Sequence, residues 1–204
     1  MSPGSELPLV AVYADESCLG NGREGENPGG AGVLVEFLQR RKLVRRDLWV
    51  SEPATTNNRM ALRSVIDCFT ALGRKGRALR IVFTTDSRYI IDGMTSWVHQ
   101  WERRGWRRRT GEIGNLELWH QAVRAVGTQL VEWRWVRGHA GHPQNEYANF
   151  LAMRAAERQD SSGGLIESGF DEWLARRADA GMVLTPEPFP VSAAFRAASQ
   201  LPRV

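Results

Sequence analysis

The sequence contains no long hydrophobic run, because its longest uninterrupted apolar stretch is about Leu9 to Ala14. A helix that crosses a bilayer needs roughly 20 apolar residues, so we expect no membrane association. No basic-then-apolar leader precedes this stretch, which argues against a secretory signal. Cysteine is also scarce, since Cys18 and Cys68 are the only two and neither belongs to a metal-type pair. Together these features favour a cytoplasmic protein in a reducing compartment over a disulfide scaffold.

Two further patterns are missing from the chain. The glycine-rich stretch Gly20–Gly30 contains neither the GxGxxG nor the P-loop pattern, so it does not predict a nucleotide-binding loop. No internal repeat is present. The 204 residues are 42% hydrophobic and 25% charged, which is typical of a globular protein with one good core and an appendage.

Positive charge is concentrated in one segment. Residues Trp97 to Arg109 contain five arginines and a single acid, Glu102, so this segment carries a net charge of +4. The whole chain also has a formal net charge of +4, which leaves the remainder close to neutral. A focused basic patch of this kind indicates a polyanionic partner, such as a nucleic acid.

Hydrophobic periodicity predicts an α/β fold with the element order βββαβααβα. Apolar or alternating stretches predict strands at 9–14, 32–37, 43–50, 80–85 and 131–135. Helical spacing of apolar residues predicts helices from about 57 to 73, from 116 to 126 and from 143 to about 159. Two short helices, 87–92 and 96–103, are expected to be broken at Gly93 and to stop at Gly105. This order predicts a mixed five-stranded sheet flanked by helices on both sides.

Two apolar strands each end in an aspartate, Asp15 and Asp86. In α/β sheets ligands gather at the carboxyl ends of strands, and two carboxylates that meet there repel each other unless a cation joins them. A hard, oxygen-binding ion such as Mg²⁺ suits such a pair. The alternative is that each aspartate only caps the turn that follows it, and the pattern alone leaves both readings open.

Several motifs then follow in order along the chain. They are Asp15-Glu16-Ser17-Cys18 with Asn21, Thr55-Thr56-Asn57-Asn58-Arg59-Met60, Thr85-Asp86-Ser87, Trp97-Val98-His99-Gln100-Trp101 with Trp106, and Val136-Arg137-Gly138-His139-Ala140-Gly141-His142-Pro143 with Asn145 and Glu146. Together they resemble bacterial ribonuclease H of the type that carries a basic protrusion. The resemblance predicts a ribonuclease H-like domain over 9–159, preceded by a disordered leader, 1–8. A linker and a short helical, proline-rich extension, 160–204, would follow, and it is expected to be dispensable for folding.

The resemblance implies a monomer that binds RNA–DNA hybrids and cuts the RNA strand, with double-stranded RNA as a second candidate ligand. In the family four carboxylates hold two Mg²⁺ ions, for which Mn²⁺ is an alternative, about 4 Å apart. Asp15 matches the first carboxylate and Asp86 the third. His139 matches a mobile histidine linked to proton transfer or product release.

Two positions depart from the family pattern. Ala61 stands where the family places a glutamate, and alanine has no atom that could bind a metal. Asn149 stands where the family places an aspartate, so it could offer only a neutral amide oxygen to the cage. Glu16 is not expected to substitute, because adjacent side chains on a strand point to opposite faces. The sequence therefore predicts an impaired ribonuclease H, with a binding module that grips hybrid or double-stranded RNA without cutting it as the alternative.

The binding positions match the family more fully. Cys18, Asn21, Asn57 and Asn58 match positions near the minor groove of the hybrid, where 2′-hydroxyls distinguish RNA from DNA. Helix capping is an equally good explanation for Asn57. In the protrusion we expect the tryptophans to attach the arm to the core while the arginines face phosphates; these residues are Trp97, Trp101, Trp106, Arg103, Arg104, Arg107, Arg108 and Arg109.

Overall fold

The sheet is the centre of the fold in this computed structural model, which describes residues 7–20, 27–74, 76–138 and 140–204. Within that part of the chain the sheet has six strands in the order β5-β4-β1-β2-β3-β6. The strands are β1 (Leu9–Cys18), β2 (Gly29–Gln39), β3 (Lys42–Glu52), β4 (Arg80–Thr85), β5 (Leu130–Trp135) and β6 (Ile166–Glu167). β4 pairs in parallel with both β1 and β5, whereas the other neighbours are antiparallel.

Helices cover both faces of the sheet. They are α1 (Asn57–Gly73), α2 (Arg88–Asp92), α3 (Val98–Glu102), α4 (Leu116–Val126), α5 (Pro143–Arg158) and α6 (Phe170–Asp179), with a π-helical turn (Gly93–Trp97) between α2 and α3. Among the described residues, no helix has the length and apolar composition needed to cross a membrane.

Alternation along β1 separates the two sides of the core. Val10, Val12 and Ala14 pack in one cluster with residues of α1 and α4. Ala11 and Tyr13 point to the other side and pack in a second cluster with residues of α5 and α6. Each residue of β1 therefore faces either α1 or α5, and this decides where the polar residues at the end of the strand point.

The predicted α/β fold is confirmed, but the strands are longer and more numerous than the pattern indicates. β1 extends four residues beyond Ala14, because β2 continues to pair with it as far as Cys18 opposite Gly29. The sixth strand, β6, comes from the C-terminal segment, residues 160–204, and pairs with Arg46 and Asp47 of β3. Asp15 therefore lies within a strand and not at its end.

The predicted helix break at Gly93 is wrong. The chain continues through this residue as the π-helical turn, so that α2, the turn and α3 follow one another without a gap. A Cβ atom at Gly93 would overlap with the ring of Trp119 on α4. Glycine is present because two helices approach closely at this point, not because the helix ends.

The C-terminal segment is attached more tightly than the sequence indicates. Phe170 and Trp173 of α6 are buried in the cluster beside α5, and Leu201 reaches the cluster on the opposite side of the sheet. Buried Asp47 of β3 accepts hydrogen bonds from the Ser168 hydroxyl at 2.6 Å and the Gly169 amide at 3.0 Å. The segment thus contributes to both halves of the core, while its dispensability for folding stays a prediction.

Candidate active site

Two aspartates meet at one edge of the sheet. The parallel register of β1 and β4 pairs Ala14 with Thr85, so Asp15 and Asp86 both follow directly after the last paired residues. Trp135, at the end of β5, donates its indole N–H to the main-chain oxygen of Asp86 at 3.1 Å. The sequence prediction that these two carboxylates approach each other agrees with this register.

Asp15 is a buried carboxylate with two donors. Its Oδ1 accepts from the Glu16 amide at 2.7 Å, and its Oδ2 accepts from Nδ2 of Asn145 on α5 at 2.9 Å. Burial, followed by repulsion from Asp86, raises the pKa of Asp15 from 3.8 to about 8, although both hydrogen bonds oppose this shift. The site therefore concentrates more negative charge than its protein donors neutralise.

Glu16 is the residue that the alternation rule excluded and the structure brings to the site. It follows Ala14 by two residues on β1, so its side chain lies on the α1 side of the sheet, which is also the side of Ala61. Burial and the charges of Asp15 and Asp86 raise the pKa of Glu16 well above its ordinary value, and a hydrogen bond from Ser87 opposes that shift. Adjacent residues of β1 do point to opposite faces of the sheet, but Asp15 and Glu16 both lie at the same edge of it.

Ala61 and Asn149, the two positions that differ from the family pattern, lie in different environments. Ala61 is fully buried among the core residues between α1 and the sheet. Asn149 is partly exposed on α5 and donates its Nδ2 to the sulfur of Met153 at 3.7 Å. The direct contact from α5 to Asp15 comes from Asn145, one helical turn earlier, which in the sequence stands out only as part of a motif.

A glycine explains how the next loop approaches Asp86. A Cβ atom at Gly138 would overlap with the Asp86 carboxylate, so the main chain of this loop lies directly against that side chain. The Gly141 amide then donates to Oε1 of Glu146 at 3.1 Å, which ties the far end of the loop to α5. His139 and Asn21, both predicted functional residues, lie outside the described residues.

Carboxylate oxygens are the ligands that Mg²⁺ prefers, and the raised pKa values of Asp15 and Glu16 indicate charge that a divalent cation would neutralise. The donor set therefore fits such an ion. In the described conformation, however, no three His, Cys, Asp or Glu side chains in this part of the chain are arranged so that they could hold a metal. Asp15 and Glu16 each accept a hydrogen bond from a neutral side chain, that of Asn145 and that of Ser87 respectively.

The basic protrusion, residues 97–109, forms an arm beside α1. A basic groove of about 490 Å³ lies between the arm and α1. It is lined by Asn58 from α1, by Asn115 before α4, and by the arginines Arg104, Arg108 and Arg109. All five arginines of the arm are exposed. Asn58 lies one helical turn before Ala61, so the first turns of α1 connect the groove with the carboxylate edge.

The tryptophans of the arm pack against the core, as expected. Trp101 lies 5.5 Å from Trp119, ring centre to ring centre, and Trp97 lies 6.3 Å from it. Trp106 makes an edge-on contact with His120 of α4 at 4.3 Å. These ring contacts attach the arm to the core, whereas the arginines of the arm stay exposed and do not pack in the core.

Two other predicted binding residues, Cys18 and Asn57, lie where the end of β1 meets the start of α1. The Cys18 thiol donates to the main-chain oxygen of Thr55 at 3.5 Å, which joins the end of β1 to the start of α1. The helix cap is Thr56, whose hydroxyl accepts from the Arg59 amide, so capping does not account for Asn57. Asn57 is partly exposed in the first turn.

Comparison with known proteins identifies the family. The family model RNase H matches residues 8–157. A ribonuclease H of Photorhabdus laumondii is 40% identical over 161 residues, which cover 78% of this chain and 96% of that protein. The chain belongs to the ribonuclease H family. A ribonuclease H of Stutzerimonas stutzeri is 41% identical over 154 residues, covering 74% of this chain and 95% of the relative.

Solved ribonucleases H agree with the fold. LC9-RNase H1, described as a type 1 RNase H with the type 2 active-site motif, is 66% identical with a TM-score of 0.92. The match covers 98% of this chain and 96% of LC9-RNase H1, so it includes the C-terminal segment that lies beyond the family match. The RNase H domain of PFV, 14% identical with a TM-score of 0.62 over 75% of this chain and 97% of its own, shares the fold.

Proposed function

We propose that this ribonuclease H hydrolyses the RNA strand of RNA–DNA hybrids with Asp15, Glu16 and Asp86 as its acidic centre. The observation that carries the proposal is the strand register, which brings Asp15 and Asp86 to one edge of the sheet and places Glu16 beside Asp15, on the side of Ala61. The raised pKa of Glu16, to which the charges of both aspartates contribute after burial, agrees with this placement. Glu16 compensates in this way for the glutamate that Ala61 replaces. The proposal revises the expectation of an impaired enzyme, which rested on counting only two carboxylates.

Ribonucleases H generally use Mg²⁺. Asp15, Glu16 and Asp86 would hold it, for which their side chains would have to move together around the ion. The bound ion would stabilise charge on the attacking and leaving oxygens of the phosphodiester. Asn145 holds the Asp15 carboxylate and Ser87 holds that of Glu16, so these two neutral side chains orient the acids. The main chain at Gly138 covers the Asp86 side chain, which limits its rotation.

The basic groove is the proposed contact with the hybrid. Arg104, Arg108 and Arg109 line it and are exposed, which suits binding to phosphates without reading base sequence. Asn58 lines the same groove one turn from Ala61 and suits contact with the sugar edge. This arrangement supports a nucleic acid that spans from the arm to the carboxylate edge.

The test is a cleavage assay with labelled RNA–DNA hybrid, double-stranded RNA and double-stranded DNA, each in Mg²⁺ and in excess chelator. We expect cleavage of the hybrid alone, dependent on Mg²⁺ or Mn²⁺, and abolished in Asp86→Asn. Glu157→Gln, an exposed change on α5, is the control and should cleave like the parent. A parent that binds hybrid but does not cut it in either metal would instead establish a binding module.

A further inference from the structure

The C-terminal segment contacts the first turn of α5 through several side chains. His142 caps α5, because its Nδ1 accepts from the Asn145 amide at 3.3 Å. The other ring nitrogen, Nε2, lies 3.3 Å from the Glu187 carboxylate. Cap and carboxylate together connect the start of the helix to a residue more than 40 positions later in the chain.

Glu187 makes a second, stronger attachment to the same turn. The Gln144 side chain donates to the Glu187 main-chain oxygen at 2.9 Å, and the Glu187 amide donates to Oε1 of Gln144 at 3.1 Å. Gln144 is fully buried, so its side-chain amide depends on this reciprocal pair for its hydrogen bonds. Glu187 stands between Pro186 and Pro188, which restrict its main chain to extended conformations and lower the entropic cost of ordering it.

Two more contacts from the same segment reach the following residues of α5. Arg177 of α6 lies 3.6 Å from the carboxylate of Glu146, which also accepts from Gly141 in the loop beside Asp86. The Tyr147 hydroxyl donates at 2.6 Å to Asp47, the carboxylate that also holds Ser168 and Gly169. The segment therefore contacts, directly or through Asp47, four residues of this turn.

Asn145 is the residue of this turn whose side chain contacts Asp15. It is 2% exposed, and its Nδ2 contacts Asp15 while its neighbours on both sides are held by the segment. We propose that the C-terminal segment positions the first turn of α5, with Glu187 as a positioning residue that fixes Asn145 against Asp15. This inference rests on the proposed function, since it gives the segment a role in hydrolysis through Asp15.

The test compares Gln144→Ala, which removes both hydrogen bonds of the reciprocal pair, and Glu187→Pro, which removes the one that the residue-187 amide donates, with the double variant. Both singles should lower kcat for hybrid cleavage by roughly tenfold with little change in KM, because Asn145 shifts while the groove is unaffected. The double variant should be no slower than Gln144→Ala alone, since that single change already removes both hydrogen bonds of the pair. Glu187→Gln keeps the main-chain pair and should retain most of kcat.

Leu201→Ala is the matched control, because it weakens the same segment where it packs at the other side of the sheet. It should lower the thermal midpoint while kcat stays at the parental value. An equal fall in kcat in Leu201→Ala, or additive effects in the double variant, would overturn the proposal.

Hydrogen exchange of the amides of residues 145–148, measured without metal or substrate, gives a readout that does not depend on cleavage. We expect at least tenfold faster exchange in Gln144→Ala and Glu187→Pro than in the parent or in Leu201→Ala. Unchanged exchange in the two variants would overturn the positioning role even if the parent cuts hybrid. A parent without cleavage activity would contradict the proposed function while leaving this measurement decisive for the positioning role.

Discussion

Asn145 on α5 donates its side-chain amide to Oδ2 of Asp15 on β1 across 2.9 Å, and both residues are buried. The close approach of α5 to the sheet depends on Gly32, the cross-strand partner of Asp15, where a Cβ atom would overlap with the main chain of Ala148. A small residue on β2 thus lets a helix bring a neutral donor to a buried acid.

Removing that donor should affect both stability and catalysis. Asn145→Ala leaves one Asp15 oxygen without its amide partner, so we expect the free energy of unfolding to fall by about 1–2 kcal/mol. We also expect kcat to fall by roughly tenfold or more, because Asp15 is no longer held in its orientation. Gln121→Ala, a change at a partly exposed position on α4, is the control for both measurements. An Asn145→Ala enzyme with parental kcat would show that Asp15 does not need this hydrogen bond.

The stability of the metal-free protein should depend on the protonation of Asp15. The folded state raises this pKa from 3.8 to about 8, so it binds the proton more tightly than the unfolded chain does. The resulting stabilisation is present at pH below 3.8 and is lost as the pH rises toward 8. Thermal melts across this interval should therefore show a decline with pH that is reduced in Asp15→Asn.

At pH 8 the same Asp15→Asn variant should be more stable than the metal-free parent by about 1 kcal/mol or more. Its amide removes the buried charge. Once the Asn145 side-chain amide rotates by half a turn, the new amide can donate to Oδ1 of Asn145, an atom without a hydrogen-bond partner among the described residues. Added Mg²⁺ should stabilise the parent and not this variant. Identical pH profiles for the two proteins would contradict the raised pKa of Asp15.

Much of this architecture is predictable from sequence, and the exceptions have physical causes. The stripe of α1 and the alternation of β5 report which residues are buried, so both elements are found within a residue or two. Periodicity does not report which helix covers which face of the sheet. The sequence therefore could not predict that Glu16 lies on the α1 face, close to the two aspartates. The same limit applies to Phe170 and Trp173, whose spacing predicts a helix but not the surface that buries them.

The arm should supply affinity that does not depend on sequence. Replacing Arg103, Arg104, Arg107, Arg108 and Arg109 by alanine should flatten the slope of log affinity against log salt by roughly one unit for each phosphate that is no longer neutralised. The control is the pair Arg40→Ala and Arg41→Ala in the β2–β3 turn, at the opposite end of the sheet from Asp15. A slope unchanged by the five substitutions would show that the arm does not touch phosphates.

Gly138 should not tolerate a side chain. Gly138→Ala would force either the loop or the Asp86 carboxylate to move, so we expect kcat to fall by about a hundredfold. Gly73→Ala is a suitable control, because a Cβ there meets no atom within 4 Å. Parental activity in Gly138→Ala would mean that the position of Asp86 is not critical.

The central claim is that Glu16 supplies the carboxylate that Ala61 lacks, and Mg²⁺ binding to the parent, Glu16→Gln and Glu157→Gln tests it most directly. Calorimetric titration of the three proteins should give parental affinity for Glu157→Gln and at least tenfold weaker binding for Glu16→Gln, since one charged ligand is removed. Hybrid cleavage at a fixed Mg²⁺ concentration should fall in the same order. Equal Mg²⁺ affinity and equal cleavage in Glu16→Gln and the parent would contradict the account.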